Sequence, residues 1–153
     1  MEVAAFVLSI ISILASIGLA IWQIIENRKI NDISIESEYF DYLFKELLLK
    51  EIPKSRAQIS FDMNSQLINT EALITTLNQI RHSALYFQYT DREFFNQLKT
   101  ALMDLEDYLV KSDGKQMVGE EQTEFFNNIK EGIIKIYDIM KKKQLGKIKN
   151  KKK

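Results

Sequence analysis

His82 is the one histidine of this 153-residue chain, and imidazole is the side chain best suited to general acid–base chemistry near neutral pH. It stands beside Arg81 in a segment of helical periodicity. General acid–base catalysis needs a second group within hydrogen-bond reach, and the sequence offers no partner at a recognisable spacing. We therefore predict a surface or helix-packing role for His82 and no catalytic residue.

Two groups of carboxylates have the oxygen ligands that calcium and magnesium prefer. Neither group has the loop geometry or the histidine spacing that would make a metal site specific. The second group suits the positive end of a helix dipole better than a metal. The groups are Asp104, Glu106 and Asp107, and then Glu120, Glu121 and Glu124. Because the sequence has no cysteine, we expect no thiolate site or disulfide, and we predict no metal and no cofactor.

A run of lysines ends the chain. Residues 141–153 hold eight lysines and no acid, whereas the preceding residues hold all 21 acidic side chains. Such an asymmetry indicates a charged partner. We expect a disordered basic tail on an anionic membrane leaflet. Nucleic acid is less favoured, because the rest of the chain predicts no basic groove, and a solvated tail is the third interpretation. The predicted contact residues are Lys141, Lys142, Lys143, Lys147, Lys149, Lys151, Lys152 and Lys153.

The stretch from Val3 to Ile25 contains no charged side chain. A helix over it would be about 34 Å long at ~1.5 Å per residue, enough to cross a hydrocarbon core of about 30 Å. Trp22 falls near its end, where an amphipathic ring suits the membrane interface. We therefore predict a single transmembrane anchor over residues 1–28.

Three alternatives for this stretch stay open. A cleaved signal peptide would have a basic start and a shorter apolar run, although Gly18 and Ala20 resemble a cleavage site. A core helix of a soluble protein rarely has this length without charge. A helix lying in the interface needs a strongly polar face, and here that face would hold only serines.

The charges that flank the stretch predict its orientation. Only Glu2 precedes it, whereas Arg28 and Lys29 follow it closely. The positive-inside rule then places the N-terminus outside and the C-terminus in the cytoplasm. We expect a single-pass protein of a bacterial inner membrane.

Small residues recur along the anchor at intervals of three and four, which keeps them on one helix face. Such a stripe lets two membrane helices approach closely, so we favour self-association. An accidental stripe is one alternative, and an aqueous path inside a larger oligomer is another. The stripe consists of Ala5, Ser9, Ser12, Ser16 and Ala20.

Apolar residues at helical spacing predict an all-α fold, with a cytoplasmic bundle of about four helices over residues 29–140 and the tail over 141–153. A polar hinge at Asn31–Asp32 precedes the first bundle helix, which Ser34 caps and Pro53 ends. This helix could also continue directly from the anchor, because Asn31 and Asp32 weaken that continuity without forbidding it. The predicted bundle helices cover about 35–51, 70–87, 90–111 and 120–140.

Two local patterns refine this prediction. Thr90 to Glu93 form a capping box, which places the start of the third bundle helix. Apolar and polar residues alternate near 57–63, which predicts an extended segment, but no second strand is evident to pair with it.

Five aromatic residues surround the turn after the second bundle helix, and they cannot all enter a core of this size. The remainder would form a partner patch. Tyr86, Phe87 and Tyr89 are the candidates for that patch, beside Phe94 and Phe95.

These features predict a membrane-anchored interaction protein that forms a homo-oligomer or docks an unidentified cytoplasmic protein. Small proteins of this design serve as membrane effectors or accessory subunits in bacterial stress and phage-defence systems, which is an analogy of architecture alone. A passive adaptor or scaffold subunit of a larger membrane complex is the first alternative. An enzyme with an unrecognised site is the second.

Overall fold

The chain divides into two units, Met1–Glu38 and Tyr39–Lys153, and we call the second the bundle unit. The computed structural model describes the backbone of residues 2–150 and the side chains of residues 16–27 and 34–146. Within that part the fold is mostly helical, which confirms the all-α prediction.

The first helix, α1, runs from Glu2 to Asp41. The helical backbone continues through Asn31 and Asp32, so the hinge predicted there is wrong and the alternative of a continuous helix is correct. Asparagine and aspartate each cost less than about 1 kcal/mol inside a helix, so they weaken it without breaking it. The predicted cap, Ser34, consequently lies inside α1.

A π-helix, Tyr42–Glu51, follows α1 and leads directly into α2, Ile52–Arg56. Pro53 was predicted to end a helix here, but it instead occupies the first turn of α2. Proline is tolerated in the first turn of a helix because its fixed φ matches the helical backbone.

The π-helix has one main-chain carbonyl that it cannot satisfy alone. In its wider register the Ile52 N–H donates to the Leu47 carbonyl, five residues back. The corresponding donor for the Leu48 carbonyl would be Pro53, which has no N–H. The hydroxyl of Tyr137 donates to the Leu48 carbonyl instead, at 2.6 Å.

The predicted extended segment contains a strand, β1 (Ser60–Phe61), that pairs within the chain. Its antiparallel partner is β2 (Leu67–Ile68). The sequence prediction missed β2 because two residues are too few to show an alternation. The opposite edge of β2 is also covered, since the Leu67 N–H donates to the Lys115 carbonyl at 2.9 Å.

The second predicted bundle helix is two helices in the structure, α3 (Glu71–Ser83) and α4 (Leu85–Thr90). The next helix, α5, spans Arg92–Ser112. Its N-cap is Asp91 rather than the predicted Thr90, because the Asp91 carboxylate accepts the Phe94 N–H at 3.1 Å.

The last helix, α6, runs from Glu120 to Asn150. Its start agrees with the sequence prediction, but it continues past the predicted end at Met140. The first residues of the predicted disordered tail are therefore helical. Lysine is a good helix former, and its charge is favourable near the negative end of a helix dipole.

The π-helix with α2, α3, α5 and α6 packs as an antiparallel bundle, which confirms the predicted helical bundle. The buried face of each helix supplies the core. The largest wholly buried side chains include Leu43, Leu47, Leu48, Ile52, Leu73, Leu77, Ile80, Phe87, Leu98, Leu102 and Phe125.

Antiparallel packing gives the bundle unit two ends. At the tyrosine end, where the chain enters the unit, the rings of Tyr39 and Tyr86 stack at 4.6 Å, and Lys143 of α6 meets Asp91 of the α4–α5 turn. We call the opposite end the hairpin end. It contains the two strands, the loop between α5 and α6, and the start of α6. The point where the chain enters the unit and the far end of α6 therefore lie together.

Candidate functional surfaces

Two of the carboxylates considered for metal binding make contacts between helices. Glu106 accepts hydrogen bonds from Arg81 at 2.9 Å and from Asn78 at 3.0 Å, which joins α5 to α3. Asp104 pairs with Lys135 of α6 at 2.8 Å. Across residues 16–27 and 34–146, no three His, Cys, Asp or Glu side chains are grouped to hold a metal ion.

His82 is exposed near the end of α3. Its neighbour Arg81 turns toward Asn78 and Glu106, so it is held in the α3–α5 contact. Proximity in sequence therefore does not make His82 and Arg81 a catalytic pair. The role predicted for His82, at the surface or in helix packing, is compatible with this placement.

An open groove of about 640 Å³ lies beside the hairpin. Its polar lining includes Glu71, Thr75 and Asp113. Asp113 already accepts a hydrogen bond from Thr70 at 2.6 Å. The lining residues include carboxylates, amides and a hydroxyl but no histidine, lysine or arginine, so the groove does not combine a nucleophile with a nitrogen base.

The predicted partner patch is corrected by the structure at Phe87. This ring is fully buried, with Tyr86 edge-on at 5.3 Å and Phe94 edge-on at 5.0 Å. Successive residues of a helix point in different directions, so α4 directs Phe87 inward and Tyr89 outward. Tyr86 is half-buried, whereas Tyr89 is 86% exposed.

Lys143 was predicted to contact the membrane, but its side chain is only 13% exposed. Its ammonium lies 5.6 Å from the ring centre of Phe87 and 5.5 Å from that of Phe94, and it pairs with the Asp91 carboxylate. Charge and aromatic faces attract in this geometry. Lys143 therefore fastens α6 to the α4–α5 turn and does not face solvent.

The contacts around Asp91 lower the pKa of its carboxyl. Burial raises its pKa, but the hydrogen bonds from Lys143 and from the Phe94 N–H, together with the Lys143 charge, outweigh burial and hold the pKa below its ordinary value of 3.8. Asp91 therefore has two roles, since it caps α5 and anchors Lys143.

The next lysines differ from Lys143. Lys141 and Lys142 are exposed, and neither takes part in an ion pair within the part of the chain whose side chains are described. Leu145 beside them is also exposed. The side chains of Lys147 and Lys149, and the whole of Lys151, Lys152 and Lys153, lie outside the described residues.

In the first unit, every described side chain from Ser16 to Asn27 is exposed. The large apolar ones are 48–61% exposed, and they are Ile17, Leu19, Ile21, Trp22, Ile24 and Ile25. Of the predicted small-residue stripe, Ser16 and Ala20 belong to this exposed stretch. The side chains of Ala5, Ser9 and Ser12 lie outside the described residues.

Within residues 16–27 and 34–146, we find no helix that combines the length and the apolar character needed to cross a membrane. Residues 3–15 of the predicted anchor lie outside those ranges. The transmembrane anchor thus stays a prediction from the sequence.

Comparisons with known proteins return no relative. No protein-family model, no curated protein and no solved structure matches this chain. The functional argument therefore depends on the sequence and the geometry described above.

Proposed function

We propose that this chain is a membrane-anchored interaction protein. Its N-terminal apolar helix inserts in the bilayer with the N-terminus outside, and the bundle unit binds a protein partner on the cytoplasmic side. The observation that carries this proposal is the exposure of large apolar side chains all along residues 17–25. A helix that is apolar all round is stable only where lipid or other helices cover it.

A bilayer fits this helix better than a soluble partner. The uncharged stretch from Val3 to Ile25 has the length of a membrane span, and Arg28 and Lys29 follow it. Lipid covers every side of a helix at once, whereas a single docked protein covers one face. The small-residue stripe would then lie against a second copy of the same helix.

Trp22 provides a direct test, because it is the only tryptophan of the chain and it lies in the apolar stretch. We expect its fluorescence to shift to the blue when the full-length protein is reconstituted in phosphatidylcholine vesicles, and to be quenched by lipids with brominated acyl chains. Emission that stays as in water, with no quenching, would contradict the anchor.

A matched pair of variants at one position controls this test. Ile17→Arg places a charge in the apolar stretch and should reduce the fraction of protein that stays with the vesicles after alkaline washing, because a charge near the bilayer centre costs about 3 kcal/mol. Ile17→Leu keeps the position apolar and should be retained like the wild type. Equal retention of both variants would argue against insertion.

Assembly through the anchor is the second part of the proposal. We expect an oligomer of the full-length protein in detergent, measured as mass by light scattering. The triple variant Ser9→Leu, Ser12→Leu and Ser16→Leu should be monomeric, because larger side chains prevent close approach of two helices. If the triple variant remains an oligomer, the stripe has no role in assembly and a tethered adaptor becomes the better interpretation.

For the protein partner we favour the hairpin end. Met63 is fully exposed there, and Val118 is 59% exposed on the loop held against the hairpin by the hydrogen bond from the Met117 N–H to the Ser65 carbonyl. A photocrosslinking residue at Met63 should give one discrete adduct in cells, whereas the same residue at Gln79, an exposed position of α3, should not. Identical adducts from both positions would show that the hairpin end is not the docking surface.

A further inference from the structure

We propose that the tyrosine end of the bundle unit docks on the headgroups of anionic phospholipids. This inference rests on the membrane anchoring proposed above and specifies the lipid that the protein recognises. The docking surface consists of Tyr39, Leu85, Tyr89, Lys141, Lys142 and Leu145, which are exposed on the elements that meet at this end.

The first argument is chain connectivity. The chain enters the bundle unit at Tyr39, whose ring stacks on Tyr86 of α4. The far end of α6 is fastened to the same end by Lys143, whose ammonium lies over the rings of Phe87 and Phe94. The segment that continues from the proposed anchor and the most basic segment of the chain therefore meet at one end of the bundle.

The second argument is the chemistry exposed at that end. Tyr39 and Tyr89 combine an apolar ring with a hydroxyl, which is the combination enriched at membrane–water interfaces. Lys141 and Lys142 can reach phosphates with their ammonium groups while their aliphatic stems lie along apolar surface. Leu145 adds an exposed apolar side chain between basic residues.

The third argument is charge. Lys143 is engaged with Asp91, whereas in the sequence no acidic residue follows or separates the seven other lysines after Met140. Among the described residues, Glu93 lines one groove with Lys142. Residues 1–140 hold 21 acidic and 13 basic side chains, so a negative surface attracts the end of α6 more strongly than the remainder of the chain. A nucleic acid would attract these lysines in the same way. An anionic leaflet is favoured because the proposed anchor holds the membrane, and not a nucleic acid, next to the point where the chain enters the unit.

The experiment uses the full-length chain in vesicles. Since the sequence has no cysteine, Gln144→Cys gives one site for an environment-sensitive fluorophore beside the docking surface. We expect its emission to shift to the blue when phosphatidylglycerol replaces part of the phosphatidylcholine. The same fluorophore at Met63→Cys, at the hairpin end, should not respond to lipid charge.

Charge substitutions with a matched control test the lysines. Lys141→Gln with Lys142→Gln should lower the ratio of docked to undocked protein by about 30-fold, since each lysine near an anionic leaflet contributes about fivefold. Lys111→Gln with Lys115→Gln removes the same charge at the hairpin end and should leave the ratio unchanged. Equal losses in both variants would overturn the proposal, because net charge alone would then explain binding.

The fluorescence of Trp22 distinguishes a failure of headgroup recognition from a failure of membrane anchoring. If Trp22 is buried in lipid while the Gln144→Cys fluorophore responds equally in neutral and anionic vesicles, headgroup recognition is wrong and anchoring stands. If the fluorophore responds to a single-stranded RNA added to neutral vesicles, and not to phosphatidylglycerol, the basic end binds nucleic acid and the proposal is overturned. If Trp22 stays in water, the anchoring proposal itself has failed.

Discussion

The two ends of the bundle unit are closed by different interactions. At the hairpin end, main-chain hydrogen bonds join β2 to the loop after α5, including Leu67 to Lys115 and Gly114 to Leu67. At the tyrosine end, one charged side chain, Lys143, holds α6 against two aromatic rings and the carboxylate of Asp91. The closure of the hairpin end depends mainly on main-chain groups, with the Thr70–Asp113 bond beside them, whereas the closure of the tyrosine end depends on particular side chains.

Because of this difference, the two ends should respond differently to substitutions and to pH. Backbone hydrogen bonds persist through most substitutions and do not titrate, whereas a half-buried ion pair depends on both partners and on pH. We therefore expect the tyrosine end, which we propose as the lipid-facing end, to be the one that chemical conditions alter. Four measurements test whether the two ends differ in this way.

The largest effect is expected for removal of an aromatic ring at each end. Phe87→Ala should lower the free energy of unfolding by about 3–5 kcal/mol, because it empties a fully buried site between two rings. Phe61→Ala removes a half-buried ring at the hairpin end, and we expect a loss of about 1–2 kcal/mol. Urea unfolding in detergent measures both, and equal losses would remove the distinction between the ends.

The next effect concerns two ion pairs between α6 and its neighbours. Lys143→Met keeps an aliphatic stem but leaves Asp91 unpaired, so we expect a loss of about 2 kcal/mol. Lys135→Met is the matched control, because its pair with Asp104 is 57%/58% exposed and should contribute less than about 1 kcal/mol. If the two variants unfold at the same urea concentration, the rings around Lys143 do not increase the contribution of its ion pair to stability.

At the hairpin end, Thr70→Val removes the donor to Asp113 while conserving shape. Thr70 is buried and its hydroxyl lies 2.6 Å from the carboxylate, so we expect a loss of about 1 kcal/mol. Amide hydrogen exchange should accelerate in β1, β2 and the following loop but not around Asp91. Faster exchange at both ends would mean that the ends are coupled.

The smallest effect is the pH dependence of the tyrosine end. Because the folded pKa of Asp91 is lowered, its contribution to stability is present above 3.8 and is lost as the pH falls through the lowered pKa. The difference in unfolding free energy between wild type and Lys143→Met should therefore shrink with acidification in that range. A constant difference would show that Lys143 does not lower the pKa of the Asp91 carboxyl.

Sequence periodicity was sufficient for the parts of the fold that bury one helix face. In α5, the spacing of Leu98, Leu102, Leu105 and Leu109 predicts the buried stripe that the structure contains. The start of α6 at Glu120 was predicted from the same kind of pattern. Each of these helices is determined by the spacing of its own apolar residues, so the sequence of the helix is enough to predict it.

The parts that the sequence did not reveal depend on residues far apart. Lys143 belongs to a lysine run, and its contacts with Asp91, 52 positions earlier, and with the rings of Phe87 and Phe94 distinguish it from Lys141 and Lys142. The buried residues of the π-helix also fit an ordinary α-helical stripe, so its wider register has no signature in hydrophobic spacing. The candidate lipid surface has the same origin, since its tyrosines and lysines come together only through antiparallel packing.

The bond between Tyr137 and the Leu48 carbonyl has a consequence for the order of synthesis. The two residues are 89 positions apart, so a growing chain that ends before Tyr137 cannot supply the hydroxyl. Until α6 is made, the π register of Tyr42–Glu51 has no donor for the Leu48 carbonyl from the neighbouring backbone. We therefore expect this register to be fully hydrogen-bonded only after α6 has been synthesised, although the segment leaves the ribosome before the other helices of the bundle.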